Sequence, residues 1–142
     1  MSGLHSKKTV VPIDFSDLSF SALDRAIEIA GEQGDVHVIH VLAELTAMEP
    51  GNLYGTVTDQ TRVASVEKHL RDRLADEKYS RVTVHAMLGD AGREITTFAK
   101  REDADLIVIP SHGYGFFKHM VLGSVAERVV RLAHCPVLVL RQ

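Results

Sequence analysis

The chain has 142 residues, 45% hydrophobic and 25% charged, with 16 Lys and Arg against 19 Asp and Glu for a formal net charge of −3. That length and hydrophobic content suffice for one domain with a real core and exclude a disordered chain. The slightly acidic balance argues against a nucleic-acid module, which carries a basic field, and no apolar run approaches the roughly 18 residues that cross a bilayer.

In chain order, Thr9-Val10-Val11-Pro12-Ile13 is short, apolar and β-branched, as a buried strand should be. Asp14-Phe15-Ser16-Asp17 breaks it. From Ser19 the residues Ala22, Leu23, Ala26, Ile27 and Ala30 recur at helical spacing, and Gly31 and Gly34 close that helix. Val36 to Leu42 forms a second strand. Residues 43–58 are irregular, holding Pro50, Gly51, Asn52 and Gly55; with Met48, Leu53 and Tyr54 they either fold over a ligand or hang free. A helical pattern resumes near Thr61 through Val63, Val66, Leu70 and Leu74. Arg81 to Met87 is a third strand, Asp90 opens a helix through Ile95, Phe98 and Ala99, and Leu106-Ile107-Val108-Ile109 is a fourth strand, apolar enough to be central. Ser124 to Ala133 is a last helix and Pro136 to Leu140 a fifth strand.

This alternation predicts one α/β domain spanning residues 1–142: a five-stranded parallel sheet in a doubly wound, Rossmann-like three-layer sandwich of strand order 3-2-1-4-5. Such sheets bind ligands at the carboxyl ends of strands where the winding reverses, which nominates the positions after Ile13, Val41 and Ile109. The opening Met1-Ser2-Gly3-Leu4-His5 has no secretory apolar core, and Cys135 is the single cysteine, so no intramolecular disulfide forms. A cytoplasmic location is expected.

The segment after the fourth strand is the richest. Pro110-Ser111-His112-Gly113-Tyr114-Gly115 leads through Phe116, Lys118 and His119 to Gly123-Ser124-Val125-Ala126-Glu127. Gly113 and Gly115 allow a backbone that exposes amides to an anion. Ser124 and Glu127 have the S-x-x-E spacing of a capping box, and free amides at a helix start favour phosphate, with Lys118 a cationic partner. The bland alternative is an ordinary turn before a capped helix. Neither the G-x-x-x-x-G-K-[ST] loop nor a complete dinucleotide glycine motif is present.

Ile107 to Gly113, Lys118, Leu122 to Val129, the ending His134-Cys135-Pro136-Val137-Leu138-Val139 and the opening Pro12-Ile13-Asp14-Phe15-Ser16 together resemble the universal stress protein family. That family carries a nucleotide-binding pattern of Gly-x-x-Gly, nine residues, then Gly-[Ser/Thr]. Gly113, the stretch 114–122 and Gly123-Ser124 reproduce its later part without a gap. The resemblance implies an adenine-nucleotide site for ATP or a relative, with or without Mg2+. Asp14 would accept from ribose hydroxyls, Pro12 would line the same wall, and Val41 would offer backbone groups to the adenine edge. Pro110, Ser111, His112, Gly113, Tyr114 and Gly115 would wrap the sugar and phosphates; Gly123, Ser124 and Val125 would hold the outer phosphates. It also implies a homodimer through the last, apolar edge strand, and a regulatory role with an unidentified protein partner.

The sequence departs from the family pattern in three places. Pro110 replaces the first glycine, Tyr114 stands where many relatives are basic, and Phe116 replaces a frequent glycine. Asp14 is alternatively a turn residue, and Ser124 either caps its helix or accepts a phosphoryl group. His112 and His119 stand seven apart, and two histidines with no carboxylate or thiol beside them in the sequence motif make weak metal evidence; His37, His40, His69, His85 and His134 read as packing or surface residues. Slow or no turnover is expected, since phosphoryl transfer needs metal ligands and a water-orienting group that this pattern does not supply. Slow phosphoryl or adenylyl transfer, or a dimeric scaffold without nucleotide, are the alternatives.

Overall fold

The computed structural model describes residues 3–44, 58–112 and 122–141. β-branched and aliphatic runs make the strands, and each crossover carries a helix. The order is β1 (Lys8–Pro12), α1 (Asp17–Ala30), β2 (Asp35–Leu42), α2 (Asp59–Arg73), a 3-10 turn (Glu77–Tyr79), β3 (Val82–Leu88), α3 (Ala91–Arg101), β4 (Leu106–Pro110), α4 (Ser124–Leu132) and β5 (Val137–Leu140). Every strand pairing is parallel, in the order β3-β2-β1-β4-β5.

The period-2 alternation of the strands sorts their side chains between two cores. Val11, Val38 and Val108 face α1 and α2, packing with Leu23, Ala26 and Leu70. Val10, Ile39, Ile107 and Ile109 face α3 and α4, packing with Ile95, Phe98, Ala126 and Val129. With helices on both faces, β4 is buried along its whole length, as its near-absence of polar residues requires. The chain winds outward from β1 to β3 and then returns to the other side of β1 as β4. The winding therefore reverses between β1 and β4.

Several local expectations need correction. α1 begins at Asp17, not Ser19, because Ser16 is its N-cap: the Ser16 hydroxyl accepts from the Ser19 amide at 3.2 Å, and the Ser19 hydroxyl donates back to the Ser16 carbonyl at 2.7 Å. Gly31 does end the helix, at φ 65°, but Gly34 serves close packing. A Cβ on Gly34 would lie 2.5 Å from the Ser6 carbonyl oxygen and 2.6 Å from that of Ala30. α2 starts at Asp59 behind a reciprocal Thr58/Thr61 cap.

The histidines are not scattered. His37 and His85 meet across β2 and β3, Nδ1 to Nε2 at 2.9 Å, with His85 4.6 Å from the Phe98 ring. At the amino edge of the sheet, Asp105 accepts from the Ser6 hydroxyl (2.5 Å) and from the Lys7 and Lys8 amides (3.0 and 3.1 Å), tying the entry of β1 to that of β4.

Candidate functional site at the carboxyl edge of the sheet

The parallel order brings the carboxyl ends of β2, β1 and β4 side by side, and the nominated residues that are described lie at or just past those ends. Pro12 is buried at the end of β1, and the Ile13 amide donates one more rung to the Ile39 carbonyl at 2.9 Å. The chain then turns sharply. Asp14, half-buried, accepts through Oδ1 from the Ser16 amide (2.9 Å) and hydroxyl (2.5 Å), and Phe15 adopts φ 68°. Asp14 is thus the turn residue of the bland alternative. Its second oxygen, Oδ2, has no hydrogen-bond partner among the described residues, so the turn does not use up the carboxylate.

His40 is the residue whose role the sequence did not disclose. Its Nδ1 lies 2.5 Å from the Ile13 carbonyl oxygen, and a carbonyl can only accept, so the proton sits on Nδ1. A parallel ladder would next give that carbonyl the Val41 amide. No such bond forms. Ile39 turns its carbonyl toward β1, and Val41, two residues on, turns its amide and carbonyl the same way, past the end of β1. His40 therefore ends the β1–β2 ladder and leaves the Val41 main chain facing the rim. Phe15 packs on this imidazole with ring centroids 5.1 Å apart and on His69 at 4.9 Å, forming an aromatic wall on the α1/α2 side. The Arg62 guanidinium donates to the Ala43 carbonyl at 2.7 Å and fixes the exit from β2.

On the β4 side, Pro110 is buried opposite Leu140, and the Ser111 amide, also buried, donates to the Leu140 carbonyl at 2.7 Å. The chain leaves at half-buried His112 and returns at Leu122. There the Gly123 amide donates to the Ser111 carbonyl at 2.5 Å and closes a narrow neck. Gly123 is needed for this approach rather than for its dihedrals. Its φ of −68° suits any residue, but a Cβ would sit 3.1 Å from the Ser111 oxygen and 3.2 Å from His112 Cα.

The neck overturns the capping box. Gly123, held by the Ser111 carbonyl, is itself the N-cap of α4; Ser124 is the first helical residue and makes no side-chain cap. Glu127 instead pairs with Arg131 at 3.1 Å, and the hydrogen bond from Arg131 holds its carboxyl below the usual range. The first intrahelical bond runs from the Glu127 amide to the Gly123 carbonyl (2.9 Å). The amides of Ser124, Val125 and Ala126 precede it, so they are donors at the positive end of the helix dipole without a side-chain acceptor. Ser124 and Val125 are exposed.

Val41 therefore lies just before the end of β2, and Asp14, Ser111, His112, Gly123, Ser124 and Val125 follow the adjacent ends of β1 and β4 or form the neck. Gly113, Tyr114, Gly115, Phe116, Lys118 and His119 lie outside the described residues, as do Met48, Leu53 and Tyr54. Among the described residues no group of three or more His, Cys, Asp or Glu could hold a metal ion, and no helix is long and apolar enough to cross a membrane.

Residues 5–141 match the model of the universal stress protein family. The chain is 34% identical over 142 residues to universal stress protein MJ0531 of Methanocaldococcus jannaschii, across 96% of this chain and 82% of that protein. It is 32% identical over 146 residues to universal stress protein YxiE of Bacillus subtilis, across 94% and 98% of the two. Among solved structures, that of the hypothetical protein MJ0577 of M. jannaschii superposes with a TM-score of 0.80 at 26% identity over 96% of each chain. A universal stress protein in complex with cAMP gives a TM-score of 0.68 at 22% identity over 96% of this chain and 98% of that one. An Arabidopsis thaliana family protein with AMP bound gives 0.64 at 17% identity over 96% and 92%. At those two identities the likeness is one of fold alone. On the family match over nearly its whole length, with the doubly wound sheet to support it, the chain belongs to the universal stress protein family.

Proposed function

We propose that the protein is a stress-response regulatory module that binds ATP or a related adenine nucleotide at the carboxyl rim of its sheet, with slow or no turnover. The observation that carries this reading is the uncapped start of α4. Three main-chain donors and a helix dipole stand behind a glycine neck, beside the point where the winding reverses. Phosphate oxygens are the acceptors that this arrangement suits best. The free Asp14 Oδ2 suits ribose hydroxyls, and the Val41 main chain suits the hydrogen-bonding edge of adenine. The nucleotide-bound relatives support the same ligand class.

Mg2+ would arrive with a triphosphate rather than occupy a protein cage of its own. The slow turnover follows from charge placement. Asp14 belongs to the nucleoside end, and Glu127 on α4 is engaged by Arg131, so neither is free to orient a water beside the γ-phosphate. β5 is an edge strand of four half-buried apolar residues, and pairing with a second copy along it would cover that edge in a cytoplasmic homodimer. Nucleotide-dependent change around the neck would then be read by a partner protein.

Calorimetric titration with MgATP, paired with thermal melting, tests the reading. A ligand at a hundred times its Kd stabilises the fold by about 2.7 kcal/mol, which a melt resolves easily. Millimolar ATP that gives neither heat nor stabilisation would refute it and leave a dimeric scaffold without nucleotide. Phosphate release at enzymatic rates would replace it with the phosphoryl-transfer alternative.

A further inference from the structure

A second concentration of positive charge lies away from the rim, between α3 and α4 on the other face of the sheet from α1. It is a cavity of about 280 Å3 lined by Arg93 and Lys100 from α3, Arg128 and Arg131 from α4, and Thr97 and His134 among others. Among the described residues no carboxylate lines it. In a chain of net charge −3, four cations meeting in one hollow repel one another unless an anion joins them.

The available counter-charges are insufficient. Arg131 has Glu127 at 3.1 Å and Arg128 has Asp90 at 3.5 Å. Among the described residues, no ion pair involves Arg93 or Lys100. Arg128 is held in place on the α4 wall by close packing. Its stem lies against Gly92, where a Cβ would be 2.8 Å from Arg128 Cγ and Cδ, so the two helices approach closely and shut the guanidinium Nε off from solvent. That Nε makes no hydrogen bond among the described residues and faces the Asp90 carboxylate at 3.5 Å. The Asp90 oxygen near it already accepts from the Arg93 amide at 3.1 Å.

We infer that this cavity is a second anion site, independent of the rim, which takes a small polyanion carrying two phosphate groups. The size favours that class. Ligand cavities for drug-sized molecules run from roughly 300 to 1,000 Å3, so this one is small for a whole nucleoside triphosphate and ample for a diphosphate head. The Arg93 guanidinium fork matches phosphate oxygens two at a time, Arg128 and Arg131 add positive charge from the facing wall, the Lys100 ammonium adds a point charge, and the exposed Thr97 hydroxyl adds a neutral donor.

Inorganic pyrophosphate is the probe, followed through backbone amide NMR shifts in the full chain at low salt. Saturable shifts are expected along residues 93–100 and 128–134, weakening as salt is added. The double variant Arg93→Gln with Lys100→Gln removes two exposed side chains that make no ion pair among the described residues, so it should melt like the parent. It should lose affinity by roughly tenfold for each cation removed. Absence of saturable shifts at millimolar pyrophosphate would overturn the inference. So would shifts confined to Ser111, Gly123 and Ser124, unchanged affinity in the double variant, or binding at this groove only by an acidic peptide. Titration with ATP reads the rim separately, so either site can fail without the other.

Discussion

Replacing Gly123 by Asp puts an acceptor of the chain's own where the proposed phosphate would sit. The backbone at φ −68° and ψ 161° already has the extended geometry of an N-cap and accepts a side chain without strain. The new Cβ would press on the Ser111 carbonyl oxygen at 3.1 Å and His112 Cα at 3.2 Å, so the neck must open by a few tenths of an ångström. Against that, an Asp cap gains a few tenths of a kcal/mol over Gly, and its charge at the helix start adds about 0.3–1 kcal/mol. These offset the crowding, and folding stability should change by less than about 1 kcal/mol. Binding should change far more. The carboxylate would occupy the Val125 and Ala126 amides and repel the phosphate. Two charge-assisted hydrogen bonds at about 1.5–3 kcal/mol each imply at least roughly a hundredfold loss of ATP affinity. Gly123→Ala is the control: it crowds the neck equally but offers no acceptor, and should lose less than about tenfold. Calorimetry and melting on the same samples read both quantities. An Asp variant that melts normally and binds ATP like the parent would refute the assignment of phosphate to the α4 amides.

His40→Phe should keep the ring packing on Phe15 while freeing the Ile13 carbonyl for the Val41 amide; the ladder would extend, and adenine nucleotides should bind roughly tenfold more weakly through loss of about one hydrogen bond's worth of recognition. Calorimetry with ATP against GTP checks whether base selectivity is what falls. For the His37–His85 pair, burial is the main cause holding both imidazoles below the ordinary 6.5, so the unfolded chain takes up protons first on acidification. The pair's contribution to stability is therefore whole above pH 6.5 and declines as pH falls below it; melting of His85→Gln should show a flatter acid limb than the parent from that point down. Asp105 behaves oppositely in origin. Burial pushes its carboxyl up, but the hydrogen bonds from Ser6, Lys7 and Lys8 outweigh it and hold the carboxyl below the ordinary 3.8. Its support is full above that pH and is lost as pH drops through the depressed value. Denaturant unfolding of Asp105→Asn should show about 1 kcal/mol lost at neutral pH and a shallower acid limb than the parent.

The layer architecture was legible because it rests on local pattern. The aliphatic run Leu106 to Ile109 could only be a strand buried on both faces, and the spacing of Leu23, Ala26 and Ala30 could only be a helix against it. The rim segments were legible for the same reason, since strand ends follow from strand positions. What the sequence withheld depends on contacts between distant residues. Ser124 and Glu127 satisfy the capping-box spacing, yet the neck bond between Gly123 and Ser111 moves the cap one residue back. His40 reads as one histidine among eight until the fold sets it against Ile13; the one available signal was its alternation with Val36 and Val38, which puts it on the α1 side of β2. The positive φ of Phe15 had no signal at all, because neither bulk nor neighbours favour it there. Likewise nothing in the sequence marks Arg128, and the close helix approach at Gly92 buries its Nε.

The most direct measurement is a backbone amide NMR titration of the intact protein with MgATP. Val41, Ser124, Val125 and Ala126 should shift together with Asp14 along one saturable curve, because a single ligand bridges β2, β1 and the start of α4. Saturable binding whose shifts leave the α4 start untouched, or cluster between α3 and α4 instead, would contradict it.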